Sequence, residues 1–385
     1  MSDYVDMERD SRLRRDMRAA GLKAILAWFP EDLVLTGGSW PCLGMNLCLY
    51  PAEGQPVYYL STPEPDDVVP EGFLARRFPI QSGNWSALRS MLAADLQRLG
   101  VAGPGIARDG GQHAVTSFPG ETPVFGNEAI SMILDGVRTC DANDLFTEAG
   151  LRKTPLEIGR IRRANAVAGA GLAAFYAGLR AGASEAEIAA AVEGAIQSRS
   201  GKDGCRTARA WAMVQGGENI LNSGTFSRSS GNVHRDGDLV LLELGTCVDG
   251  YWSDLTRTGC VGAANDRQRF LLKAVKGAQA AAIGAIRPGV THEAVDAVAR
   301  SHLEALGLGA GFTHNCGHHV GFRYHDRGPA LQKGSVSPLS EGMVITVEPG
   351  CYGADFGGGS RFEDNVLVTA NGSEVLSPMD ITWPG

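Results

Sequence analysis

Acidic residues planted in apolar, strand-like runs most narrow what this chain can fold into. Glu243 stands in Leu241-Leu242-Glu243-Leu244-Gly245, Glu348 in Val344-Ile345-Thr346-Val347-Glu348-Pro349-Gly350, and Glu363 in Ser360-Arg361-Phe362-Glu363-Asp364. An unpaired carboxylate is very costly to bury, so three such strands favour a shared cation. Asp254, in Gly250-Tyr251-Trp252-Ser253-Asp254-Leu255-Thr256-Arg257-Thr258, and His318, heading His318-His319-Val320-Gly321, bring the set to four carboxylates and one imidazole. Such a set can hold two divalent ions about 3.5–4 Å apart.

The local patterns bear on how these residues meet. Asp249-Gly250 is a turn signal, so Leu239 to Val248 and Tyr251 to Cys260 read as a hairpin that can aim Glu243 and Asp254 into one pocket. Alone, the hairpin would equally suit an exposed strand-end Glu243 and an Asp254 that serves as an N-cap or pairs with Arg257. His318 and His325 flank Gly321, and four of the eight histidines fall between 314 and 325, a concentration that ordinary exposed histidines do not account for. Glu348 precedes Pro349-Gly350, which ends its strand where the side chain is needed. Gly357-Gly358-Gly359 lets the backbone approach closely around Glu363, whose competing role is a salt bridge with Arg361.

A carboxylate-rich set with one imidazole suits Mn²⁺ or Co²⁺, and admits Fe²⁺ or Zn²⁺, over metals that want soft ligands. Two such ions would lower a water's pKa and polarise a carbonyl, which suits hydrolysis of an amide or related C–N bond. His325 is placed to hydrogen-bond a developing oxyanion, and Glu348 to shuttle a proton to the leaving amine. Arg361 is a further candidate substrate contact.

At 385 residues the chain exceeds one ordinary core, and 44% hydrophobic with 20% charged residues is a soluble globular composition. A net charge of −8 without a basic stripe argues against nucleic acid. There is no run of 18 apolar residues to span a membrane, and the charged N-terminus lacks the apolar core of a signal peptide. Eight scattered cysteines with no CxxC pair read as reduced thiols, so a cytoplasmic location is expected.

The texture changes near residue 150, predicting an α/β (α+β) chain of two domains, 1–148 and 150–385. In the first, a charged helix over 6–21, strands at 23–28 and 56–60 and a helix over 85–99 carry no catalytic constellation; His113 is its single histidine. Its Trp40-Pro41 loop is a candidate to reach a neighbouring subunit's pocket, against an ordinary exposed or core Trp. In the second, helices from Thr154 to about 179 and from Ser184 to 198 precede strands near 208–214, 238–248 and 251–260. Helices over 265–284 and 291–306 then precede strands at 343–351 and 363–369. Helix pair, strands, helix pair, strands is a pseudo-repeat in element order. Residues 215–235 read as a long substrate-facing loop.

These segments resemble the pita-bread metallohydrolases, the family of methionine aminopeptidase, aminopeptidase P, Xaa-Pro dipeptidase and creatinase. The resemblance rests on Gly-Tyr-x-x-Asp-x-Thr-Arg-Thr at 250–258, Gly-His-x-x-Gly at 317–321, Glu-Pro-Gly at 348–350 and Arg-x-Glu-Asp at 361–364, which are specific together. It implies a creatinase-type N-terminal domain, a pita-bread catalytic domain with a pseudo-twofold repeat, and a homodimer. The implied metal ligands fall on Glu243, Asp254, His318, Glu348 and Glu363, and a substrate-contacting histidine falls on His325. Two departures stand out. The first ligand, Asp in the family, is Glu243, and a second substrate histidine expected near Phe226 is absent. The expected activity is metal-dependent cleavage of a peptide or small amide C–N bond through a metal-activated water. Open beside it are a relative of the creatinase, ectoine hydrolase or dimethylsulfoniopropionate lyase kind acting on a small metabolite, and a binding protein that has lost catalysis.

Overall fold

The structure, a computed structural model, describes residues 6–40, 46–79, 85–107, 127–222 and 229–378. Pro41, His113 and Phe226, to which the sequence drew attention, lie outside them. The chain divides into two compact units, Met1–Gly150 and Leu151–Gly385.

In the first unit, α1 (Met7–Ala19) starts at Asp6, whose carboxylate accepts the Glu8 and Arg9 backbone N–H groups, and stops before Gly21 at φ 69°. Then follow β1 (Ala24–Ala27), α2 (Pro30–Gly37), β2 (Leu47–Pro51), β3 (Val57–Ser61), β4 (Leu74–Phe78), α3 (Ser86–Arg98), β5 (Gly105–Ile106), α4 (Asn127–Ile133), β6 (Cys140–Asp141) and α5 (Asn143–Leu151). The strands form one mixed sheet in the order β4-β3-β2-β1-β5-β6. Leu26, Leu49, Val57 and Tyr59 share a core with Leu88, Leu92 and Leu96 of α3. Trp40 is itself buried, as an ordinary core residue is.

The second unit opens on α6 (Pro155–Gly178) and α7 (Glu185–Gln197), each started by a capping box, Thr154 with Glu157 and Ser184 with Glu187. The pair packs on an antiparallel sheet of β7 (Ala208–Gly216), β8 (Leu239–Val248) and β9 (Tyr251–Cys260). A second pair, α8 (Asp266–Ala285) and α9 (His292–Ala305), shares a core with the strands that follow. Those are β10 (Val344–Val347), β11 (Gly350–Gly353), β12 (Gly358–Arg361), β13 (Asp364–Thr369) and β14 (Gly372–Val375). Helix pair and strands thus occur twice, in the order expected.

Three expectations need correction. The strand read over 343–351 is broken at Glu348-Pro349, and Glu363 precedes β13 rather than lying in it. The breaks face each other: β10 pairs with β13 up to Val347 opposite Asp364, and β11 with β12 from Gly350 opposite Arg361. Pro349 has no N–H to give a ladder, and the interruption places both acids at one kink. The 215–235 loop is also shorter than expected, because β7 runs to Gly216 and a 3-10 turn covers Gly217–Asn222.

Candidate metal centre

The β8–β9 hairpin turns through Asp249 (φ 50°) and Gly250 (φ 89°), the two positive φ values of a tight two-residue turn. Its register sets Glu243 opposite Thr256 and Gly245 opposite Asp254, so Glu243, Asp254 and Thr256 share one face. The kink between β10–β11 and β12–β13 supplies Glu348 and Glu363. The Glu363 N–H donates to the Thr256 carbonyl (3.1 Å), and the Glu348 N–H to that of Cys316 (2.9 Å). His318 is tied to β10 by its own N–H to Thr346 Oγ1 (3.0 Å) and by the Thr346 N–H to its carbonyl (2.7 Å). Gly317 before it adopts φ 154°, and a Cβ there would lie 2.0 Å from the Thr346 carbonyl oxygen, so only glycine fits this approach.

Ligating atoms of Asp254, His318 and His325, of His318, Glu348 and Glu363, and of Glu243, Asp254 and Glu363 lie within 4.8 Å of one another in each group. Every residue singled out as a ligand is therefore in one place, with His325 beside them. His318 Nε2 is 3.3 Å from Asp254 Oδ2 and 3.5 Å from Glu348 Oε1; His325 Nε2 is 3.9 Å from Asp254 Oδ2. The two imidazoles lie 3.7 Å apart. His318 Nδ1 is 3.0 Å from the His319 carbonyl, which can only accept. The neutral ring then carries its proton on Nδ1 and turns the Nε2 lone pair toward the acids.

The electrostatics repeat the point. Burial, then Glu363, Glu243 and Glu348, hold the Asp254 carboxyl well above the usual range. Burial and the same acidic company do so for Glu363. Burial, with Glu243 adding to it, pushes Glu348 up to about 8. Glu243 goes the other way: burial pushes it up, but Arg361, Thr256 and Tyr324 together hold it below the ordinary value. Among the described residues, none donates a hydrogen bond to the buried Asp254 oxygens or to Glu363 Oε1. Lone pairs converging on lone pairs need a cation, so the residues fit divalent metal.

Arg361 lies inside the acidic cluster. Its guanidinium bonds Glu243, Thr256 Oγ1 (3.0 Å) and Tyr352 Oη (3.0 Å), and the side chain is 8% exposed. Arg257 pairs with Asp364 rather than Asp254 (2.7 Å). Sequence reading gave no role to Tyr324, Thr256 or Lys153. Lys153 Nζ, fully buried, is 2.8 Å from Asp326 Oδ2, and Asp326 accepts the Arg323 N–H (2.7 Å) and donates its own to the His319 carbonyl (2.8 Å). That ion pair braces the segment carrying both pocket histidines.

Residues 159–370 match the family model for metallopeptidase family M24. The chain belongs to that family. Among curated proteins, this M24 member is 35% identical over 235 residues to an Xaa-Pro dipeptidase of Pyrococcus furiosus, a match covering 61% of this chain and 65% of that protein. It is 34% identical over 257 residues to a putative dipeptidase of Bacillus subtilis, covering 66% and 68%. The prolidase structure from Pyrococcus furiosus superposes with a TM-score of 0.77 at 24% identity, over 95% of this chain and 99% of that one. An Xaa-Pro dipeptidase from Bacillus anthracis gives 0.77 at 25% identity over 97% and 98%. The M24 fold, with its two-domain pita-bread arrangement, therefore extends over nearly the whole chain. The sequence match spans about 65% of the first of these curated relatives.

Proposed function

We propose that the chain is a metal-dependent peptidase of the Xaa-Pro dipeptidase kind, with divalent ions held by Asp254, His318, Glu348, Glu363 and Glu243. One observation carries the reading: the donor-less oxygens of Asp254 and Glu363 converge with the His318 Nε2 lone pair. Mn²⁺ suits this donor set. Divalent ions in such a centre lower the pKa of water and polarise an amide carbonyl.

The chain's own residues divide the remaining work. Glu348, beside the ion site and accepting from Thr346 Oγ1, would take a proton from the attacking water and pass it to the leaving amine. His325 is 20% exposed, so its imidazole can meet substrate and donate a hydrogen bond to charge growing on the carbonyl oxygen. Arg361 and Thr256 hold Glu243 in place.

The test pairs metal content per chain, by elemental analysis of protein purified without added metal, with hydrolysis of Gly-Pro and other Xaa-Pro dipeptides after Mn²⁺ addition. Bound ions with Xaa-Pro cleavage uphold the proposal. Bound ions without cleavage turn the reading to a small non-peptide amide, which Glu243 in place of Asp and the missing histidine near Phe226 favour. No uptake of metal under any loading refutes it.

A further inference from the structure

The carboxylates of the centre are not equivalent toward a cation. Among the described residues, Asp254 has no donor on either oxygen and Glu363 none on Oε1, whereas both oxygens of Glu243 are served. The Tyr324 hydroxyl donates to Glu243 Oε1, and the Arg361 guanidinium donates to Oε2. Thr256 Oγ1 lies 2.5 Å from Glu243 Oε2 and 2.6 Å from Glu363 Oε2, and its single proton serves one at a time. A cation settling among Asp254, His318, Glu348 and Glu363 displaces no donor from Asp254 or from Glu363 Oε1. A cation using Glu243 Oε1 meets the Tyr324 hydroxyl already there.

Tyr324 cannot easily yield. The side chain is 2% exposed, its ring lies 5.9 Å from Trp211 and 6.2 Å from Trp252, and it stacks on His325 at 4.8 Å. Wedged among these rings, a displaced hydroxyl would lose its carboxylate acceptor in a dry setting.

We infer that Tyr324 sets the affinity of the Glu243 side of the centre by competing with a second divalent ion for Glu243 Oε1. An ion at Glu243 is then held more weakly than it would be without that hydroxyl, while one on Asp254, His318, Glu348 and Glu363 is unaffected by it. The inference rests on the divalent-ion reading above and makes Tyr324 a positioning residue for one of its ligands. Occupancy of the Glu243 side at a given free divalent-ion concentration would then depend on this hydroxyl, beside the Arg361 and Thr256 donors on Oε2.

Calorimetric titration of the chelator-treated full chain with Mn²⁺ alone, for wild type and Tyr324→Phe, tests it. A hydrogen bond to a charged group corresponds to roughly a 10–100-fold factor in affinity. The weak phase should therefore tighten by about that factor in Tyr324→Phe while the tight phase stays put. A second phase that is unchanged, or absent from both proteins, overturns the inference. Because the variant can be misfolded, wild type is also followed by its near-ultraviolet tyrosine difference spectrum. The spectrum should change with the second equivalent and not the first; no change at either rejects the competition. Failure of either protein to take up Mn²⁺ brings down the divalent-ion reading itself, whereas uptake insensitive to Tyr324 brings down only this inference.

Discussion

His318 turns Nε2 toward Asp254 Oδ2 at 3.3 Å while its Nδ1 faces the His319 carbonyl at 3.0 Å, so imidazole and carboxylate meet lone pair to lone pair. A shared cation or an added proton relieves that, and the structure of the pocket favours the cation because Glu348 and Glu363 converge on the same point. His318→Ala and Glu363→Ala should each lower bound metal and abolish hydrolysis. Elemental analysis of the purified variants checks this, and metal content equal to wild type would reject the ligand assignment.

The raised carboxyls make the ion-free fold sensitive to alkali. Below an unfolded value near 4.5, Glu348 is protonated in both states and contributes nothing. Above it the unfolded chain ionises while the fold keeps its proton up to about 8, so stability is lost as pH rises through that window. Asp254 and Glu363, also raised, act in the same direction. Glu243, held low, loses its contribution only as pH falls through its folded pKa. Buried histidines run opposite to the raised acids: burial pushes His314 down to about 4 and lowers His319, so they weaken the fold only below about 6.5. The interval from pH 7 to 8 therefore isolates the acids. Thermal melts of chelated protein should show a falling midpoint there, the stability dropping by about 1.4 kcal/mol per pH unit for each carboxyl that stays protonated. Added Mn²⁺ should raise the midpoint most at the upper end, since ligands must be deprotonated. A flat or rising midpoint in the chelated protein would contradict the acidic cluster.

What was legible beforehand were features written in contiguous residues. Thr154 with Glu157 and Ser184 with Glu187 announced α6 and α7, and Asp249-Gly250 announced the β8–β9 hairpin, which alone places two acids on one face. The partners of those acids were not legible, because they come from distant segments. Arg361 seemed the natural mate for Glu363 two residues away, yet in the extended segment it reaches across to Glu243 on β8. The break at Glu348-Pro349 looked like a strand end, and its match opposite Phe362-Glu363 emerges only from pairing register.

Lys153 lies far from Asp326 in sequence, and the pair follows the same rule. Its Nζ is fully buried, 2.8 Å from Asp326 Oδ2 and 5.5 Å from the Phe322 ring centre. Removing one member of a buried ion pair leaves an uncompensated charge, at a cost of roughly 3–5 kcal/mol. Lys153→Met should accordingly lower the melting midpoint by roughly 6–20 °C. The double variant Lys153→Met, Asp326→Asn should cost less than the sum of the two single changes. Additive losses in the cycle would show that the two side chains act independently.

His325 differs from His318 in the same pocket, and the difference decides its role. It stands farther from Asp254, 3.9 Å against 3.3 Å, and its side chain is 20% exposed against 12%. A ligand should be the nearer, more enclosed group; a donor to substrate must be reachable. His325→Ala should therefore retain the metal content of wild type while kcat falls roughly 10²–10³-fold, the usual cost of losing an oxyanion donor. The two measurements have to be made on the same preparation. Loss of metal together with activity would make His325 a ligand, and unchanged kcat with full metal would leave the carbonyl oxygen to other donors.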